Sequence, residues 1–185
     1  NEKCIDRITQ YFSIIADEKK PVVSIGGDHS ITGGILQGLA KEDSPLTKGQ
    51  KVSLLHIDAH TDTYDKLDHF LGAKKSAAHW GSYLVKQGQV DATHSMQIGL
   101  RGNPRTLDWL QPSYDLGYNV VTMAEFNKRG LKSVIQETLE KVGDNPIYIT
   151  FDLDSLDSTL APGVSNLEPS FTGFNMEEAK ALIQC

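Results

Sequence analysis

The apolar positions change their period several times along the chain, and each change marks an element. In residues 2–18, Ile5, Ile8, Tyr11, Phe12 and Ile15 recur at helical spacing, which predicts an amphipathic helix. Pro21 then precedes a short apolar run, residues 22–25, which reads as a buried strand ending at Gly26-Gly27. A second helical pattern opens at Asp28-His29-Ser30, with Ile31, Ile35, Leu36 and Leu39 on one face, and fades in the polar stretch that follows. Residues 52–57, 95–100, 118–122 and 147–151 are further apolar runs between turn residues, and each predicts a strand. Helical spacing returns over 76–90, through Trp80, Leu84 and Val85, and over 131–142, through Leu131, Ile135, Leu139 and Val142. A last helix is expected from Asn175 and Met176, while residues 63–75 have little periodicity and read as a loop.

Strands that are apolar on both faces, alternating with helices, predict an α/β fold: a parallel sheet in a three-layer α/β/α arrangement. In such folds ligands collect beyond the carboxyl ends of the strands. The 185 residues, 39% of them apolar, are enough for one domain with a core, taken as residues 1–185. A net charge of −6 speaks against nucleic acid or an anionic membrane as partner and favours a small cationic one. Cys4 and Cys185 sit at the two ends without paired spacing, the usage of a reducing compartment. A cytoplasmic location is expected, with an organelle left open. No run of 18 apolar residues occurs. The chain starts without Met and both ends fall inside helical patterns, so it is expected to be the interior of a longer domain, lacking N- and C-terminal portions.

Three expected strand ends carry unusual chemistry. Asp58-Ala59-His60-Thr61-Asp62 sets a carboxylate, an imidazole and a carboxylate at alternate positions, which an extended segment points to one side. Gly26-Gly27-Asp28-His29-Ser30 lacks the spacing and the Lys of a phosphate loop, so its glycines are expected to turn the backbone and aim His29. Phe151-Asp152-Leu153-Asp154-Ser155-Leu156-Asp157 fails as an EF-hand loop, which needs an oxygen ligand in place of Leu156 and Gly in place of Asp157. A strand ending in Asp-x-Asp also resembles haloacid-dehalogenase phosphatases, but those need a long domain downstream. Together His29, Asp58, His60, Asp62, Asp152 and Asp154 offer four carboxylates and two imidazoles. Crowded carboxylates repel unless countered, and two divalent cations would balance four of them. Oxygen-rich ligation favours two Mn2+ over zinc, with Ni2+ and Co2+ left open.

At this point the chain resembles the ureohydrolase (arginase/agmatinase) family, whose three signatures appear in order at residues 26–30, 58–62 and 151–157. The resemblance implies an arginase-like fold in which His29 and Asp62 hold one metal, His60 and Asp154 the other, and Asp58 and Asp152 bridge them. It implies an amidinohydrolase: a metal-bridging hydroxide attacks the carbon of a guanidino compound such as agmatine or arginine and releases an amine and urea. His79, in Ala-Ala-His-Trp-Gly-Ser, matches the family's proton shuttle. The resemblance also implies a homotrimer or homohexamer. His56, inside a strand, reads as a satisfied core residue.

The chain departs from the family at Ser158, where Pro is usual, and at residues 163–173, where GVSNLEPSFTG stands in place of a paired-glycine turn. That stretch looks most like the plant-arginase and agmatinase-like branch, and it leaves the substrate side chain open. The acidic residue that clamps the guanidinium is expected beyond Cys185. Glu168, followed by Pro169, reads as part of a surface turn and a poor substitute. Formiminoglutamate or guanidine hydrolysis on the same site, and an inactive homologue acting as a binding subunit, are the alternatives. A calcineurin-like phosphoesterase would need further His motifs, and no His follows His94.

Overall fold

The computed structural model describes residues 2–65, 72–102, 106–169 and 172–185. It divides into two compact units, residues 1–52 with 62–91 and residues 53–61 with 92–185.

The first unit contains helices α1 (Glu2–Asp17), α2 (Ser30–Leu39) and α3 (Trp80–Lys86). The expected first helix is present and packs along α2. Gly38 sets their approach: a Cβ there would lie 2.6 Å from the Thr9 carbonyl oxygen and 2.8 Å from the Ser13 nitrogen. The helix expected over 76–90 contracts to α3, with Trp80 and Leu84 fully buried. The strand expected at residues 22–25 is not formed. That stretch has no sheet pairing, and Val23 and Ile25 are 92% and 97% exposed. A strand is held by hydrogen bonds to a neighbouring chain segment, and a short run such as Val22-Val23-Ser24-Ile25 carries no information about whether one is there.

The second unit contains the sheet. Strands β1 (Ser53–Ile57), β2 (Met96–Leu100), β3 (Asn119–Thr122) and β4 (Ile147–Phe151) lie in the order β3-β2-β1-β4, and every pairing is parallel. β1 and β2 are buried at every position, including the polar Ser53, His56 and Gln97 within their otherwise mostly apolar runs. β4 is an edge, and its Ile147 and Ile149 remain about half exposed. The sequence pattern missed two short helices, α4 (Gln111–Leu116) and α5 (Met123–Arg129), while α6 (Leu131–Val142) and α7 (Met176–Gln184) fall where expected. α5 and α7 open with reciprocal capping boxes, Thr122 with Glu125 and Asn175 with Glu178. The core joins Leu55, Ile57, Met96 and Ile98 of the sheet to Phe126, Val134, Phe174 and Leu182, with the Phe126 and Phe174 rings edge to face.

Register explains why the acidic motifs meet. Ile57 of β1 pairs with Phe151 of β4, so the two strands end level. The next residues are Asp58 and Asp152, and Asp152 N–H donates to the Ile57 carbonyl. Among the described residues no helix is long and apolar enough to cross a membrane.

Candidate metal centre

In the second unit, ligand atoms of Asp58, His60 and Asp154 all lie within 4.8 Å of one another. His60 Nδ1 is 3.1 Å from Asp154 Oδ2 and 3.4 Å from Asp58 Oδ1. Short local bonds hold these groups in place. Asp58 Oδ1 accepts the His60 backbone N–H at 2.8 Å, and Asp152 Oδ1 accepts that of Asp154 at 2.9 Å. The turn bearing Asp154 is gripped by Arg101, whose guanidinium donates to the carbonyls of Asp154, Ser155 and Leu156.

Asp58 is also held from within the sheet. Gln97 Nε2 is 3.0 Å from His56 Nδ1, and His56 Nε2 is 2.9 Å from Asp58 Oδ2. Gln97 donates, so Nδ1 accepts and Nε2–H donates to the carboxylate. His56 is fully buried and satisfied, and it orients an acidic group as well.

The charges in this cluster are unbalanced toward the negative. Burial pulls the His60 pKa down, but hydrogen bonds and charge from Asp154 and Asp58 outweigh it, so the imidazole is pushed up to about 12. Burial raises the Asp154 carboxyl; the His60 bond opposes that, yet Asp58 and Asp152 add to it, and the group is pushed up to about 6. A proton on His60 thus sits between carboxylates where a cation would serve equally well. The donor set, hard oxygens with an imidazole, suits manganese or a similar ion.

In the first unit, His29 and Asp62 meet. His29 Nδ1 is 3.1 Å from Asp62 Oδ2, and the Trp80 indole donates to the same oxygen at 2.7 Å. The His29 ring also lies against Trp80, with centroids 4.9 Å apart. His29 occupies the N-cap position of α2 but makes no side-chain capping bond, and neither Gly26 nor Gly27 has a positive φ. Asp62 does have one, 51°, which turns the motif back on itself. His79, at the N-terminus of α3, is buried, and its Nδ1 is 2.6 Å from the Ser76 hydroxyl.

Glu168 corrects an expectation. Its side chain is only 14% exposed and its Oε1 lies 2.9 Å from His60 Nε2. The turn itself is at the surface, with residues 165–167 and Pro169 exposed, but the Glu168 side chain points inward to a partner 108 residues away in sequence. Arg101, Gln97 and Trp80 were likewise not singled out for the site, since none lies in a signature motif. Residues 66–71 of the expected loop and 170–171 of the glycine-poor turn lie outside the described residues.

The arginase family model matches residues 1–185. The mitochondrial guanidino acid hydrolase of Homo sapiens is 37% identical over 174 residues, covering 94% of this chain and 46% of that protein. The mitochondrial agmatinase of Gallus gallus is 35% identical, covering 94% and 48%. Among solved structures, proclavaminate amidino hydrolase from Streptomyces clavuligerus superposes with a TM-score of 0.85 at 29% identity, over 100% of this chain and 58% of that one. The chain belongs to the arginase family. It spans about half the length of the relatives it matches.

Proposed function

We propose that the protein is a metal-dependent amidinohydrolase, splitting a guanidino compound with water into an amine and urea. The observation that carries this reading is the Asp58, His60 and Asp154 cluster beyond β1 and β4, in a chain of the arginase family. His60 and Asp154 would hold one cation and His29 and Asp62 a second, with Asp58 and Asp152 as the shared carboxylates. Bound Mn2+ would supply Lewis acidity that makes water a competent nucleophile near neutral pH.

The chain's own residues do the rest. His56 and Gln97 keep Asp58 from rotating, and Arg101 with Asp152 fixes the turn that presents Asp154. His79, whose Nδ1 is held by the Ser76 hydroxyl, would move a proton to the departing amine. The acidic balance of the chain suits a cationic guanidinium. Two relatives are named for guanidino acids and for agmatine, which puts both at the head of the substrate panel. A homotrimer or homohexamer is proposed with them, and light scattering of the intact protein tests it.

The test is urea release by the intact protein with added Mn2+, across agmatine, arginine, guanidino acids and free guanidine. We expect urea from at least one, and loss of both Mn2+ and turnover in Asp58→Ala. Formamide from formiminoglutamate, with no urea from any member of the panel, would replace the guanidino assignment. Full activity in Asp58→Ala would remove the metal reading.

A further inference from the structure

The neutral imidazole has two nitrogens, and a ring that offers a lone pair at one must carry its proton on the other. In His60, Nδ1 faces Asp154 Oδ2 and Asp58 Oδ1 at 3.1 and 3.4 Å, while Nε2 faces Glu168 Oε1 at 2.9 Å. We propose that Glu168 is a positioning residue: it accepts the Nε2–H of His60 and so commits Nδ1 to a divalent cation held with Asp58 and Asp154. This rests on the metal reading above and adds to it the residue that sets one ligand's tautomer and ring angle.

The surroundings are arranged for that contact. The neighbouring residues 165–167 are exposed, yet the Glu168 side chain turns inward and is mostly sheltered. A Cβ at Gly102 would collide with its carboxylate, and Gly102 has a φ of +103°, so the backbone there makes room. Arg101, one residue earlier, exerts its charge on both Glu168 and Asp154. It offsets the cost of placing another carboxylate beside a cluster that already has a surplus of them. A carboxylate on the outer nitrogen of a ligating imidazole raises the ring's basicity and fixes its orientation, and removing such a partner typically weakens metal binding about 10–100-fold.

The experiment is a Mn2+ titration of the intact, metal-free protein, followed by calorimetry and by the electron paramagnetic resonance of free Mn2+. Wild type should take up two equivalents. In Glu168→Gln, one equivalent should weaken about tenfold or more, while the equivalent assigned to His29 and Asp62 keeps its affinity. Gly102→Ala, which crowds the carboxylate from the other side, should reproduce the selective loss and stands in if the first variant does not fold. Leu167→Ala, an exposed neighbour, should change neither equivalent. Wild-type affinity for both equivalents in Glu168→Gln would overturn the role of Glu168 and leave the metal reading standing. Parallel weakening of both, with a lower melting temperature of the metal-free protein, would show a merely structural residue and also overturn it. A wild type that binds no Mn2+ would remove the metal reading and this assignment with it.

Discussion

Gln97, His56 and Asp58 form a relay of two hydrogen bonds that begins in the middle of β2 and ends on a carboxylate. Buried groups of this kind must be satisfied, at about 1–3 kcal/mol for each one left unpaired, so the relay also fixes which oxygen of Asp58 stays available. His79 is different in kind: among the described residues it belongs to neither group of potential metal ligands. His79→Ala should lower turnover about 10²–10⁴-fold, the usual worth of a positioned acid or base, while metal content by elemental analysis stays at the wild-type level. Loss of metal would show that its role has been misassigned. At this scale the sequence displayed the residues inside the three motifs and hid their supports. Glu168, Arg101 and Trp80 become visible only when distant segments are brought together, because spacing carries no information about a hydrogen bond 108 residues long.

Among elements, predominantly apolar runs were a sound guide wherever a partner strand was present, as for β1, β2, β3 and β4. Residues 22–25 have the same composition and form no ladder. α4 and α5 escaped because six or seven residues give too few turns for a 3.6-residue period to emerge. The α1–α2 contact offers a test in which two effects compete. Gly38→Ala gains up to about 1 kcal/mol in helix propensity. It also drives a methyl group against backbone atoms of α1, which cannot swing aside as a side chain would, and overpacking costs about 1–3 kcal/mol. The second effect should win. The urea midpoint of Gly38→Ala should fall, and a rise would mean that the two helices part more easily than their spacing suggests.

For the molecule as a whole, cation uptake and protonation compete. A ligating His60 must be neutral and Asp154 ionised, yet carboxylates hold the imidazole pKa near 12 in the metal-free cluster, and Asp154 is raised to about 6. Each group therefore keeps its proton to a higher pH than it would in an unfolded chain, and each proton must leave before the ion can be held. The sign follows: affinity falls as pH falls. It should drop about tenfold per unit from pH 8 to 6, one proton being released, and more steeply below 6 as Asp154 adds a second. Mn2+ competition titrations across that range, with calorimetry in buffers of differing ionisation heat, measure both slope and proton count. An affinity that is flat with pH would mean that the cluster does not ligate through these two groups.

Asp62 carries a left-handed backbone, φ 51°, where a side chain is tolerated only at some cost. Selection for folding alone would have little reason to keep a charged residue there, since Asn accepts that conformation at least as readily and can still receive the Trp80 N–H. Asp62→Asn should accordingly melt no lower than wild type when stripped of ions. Added Mn2+ should then raise its transition less than it raises the unaltered protein's, by the share of one lost equivalent. The aspartate would thus be a small debt of rigidity carried by the metal-free chain and repaid when a cation arrives.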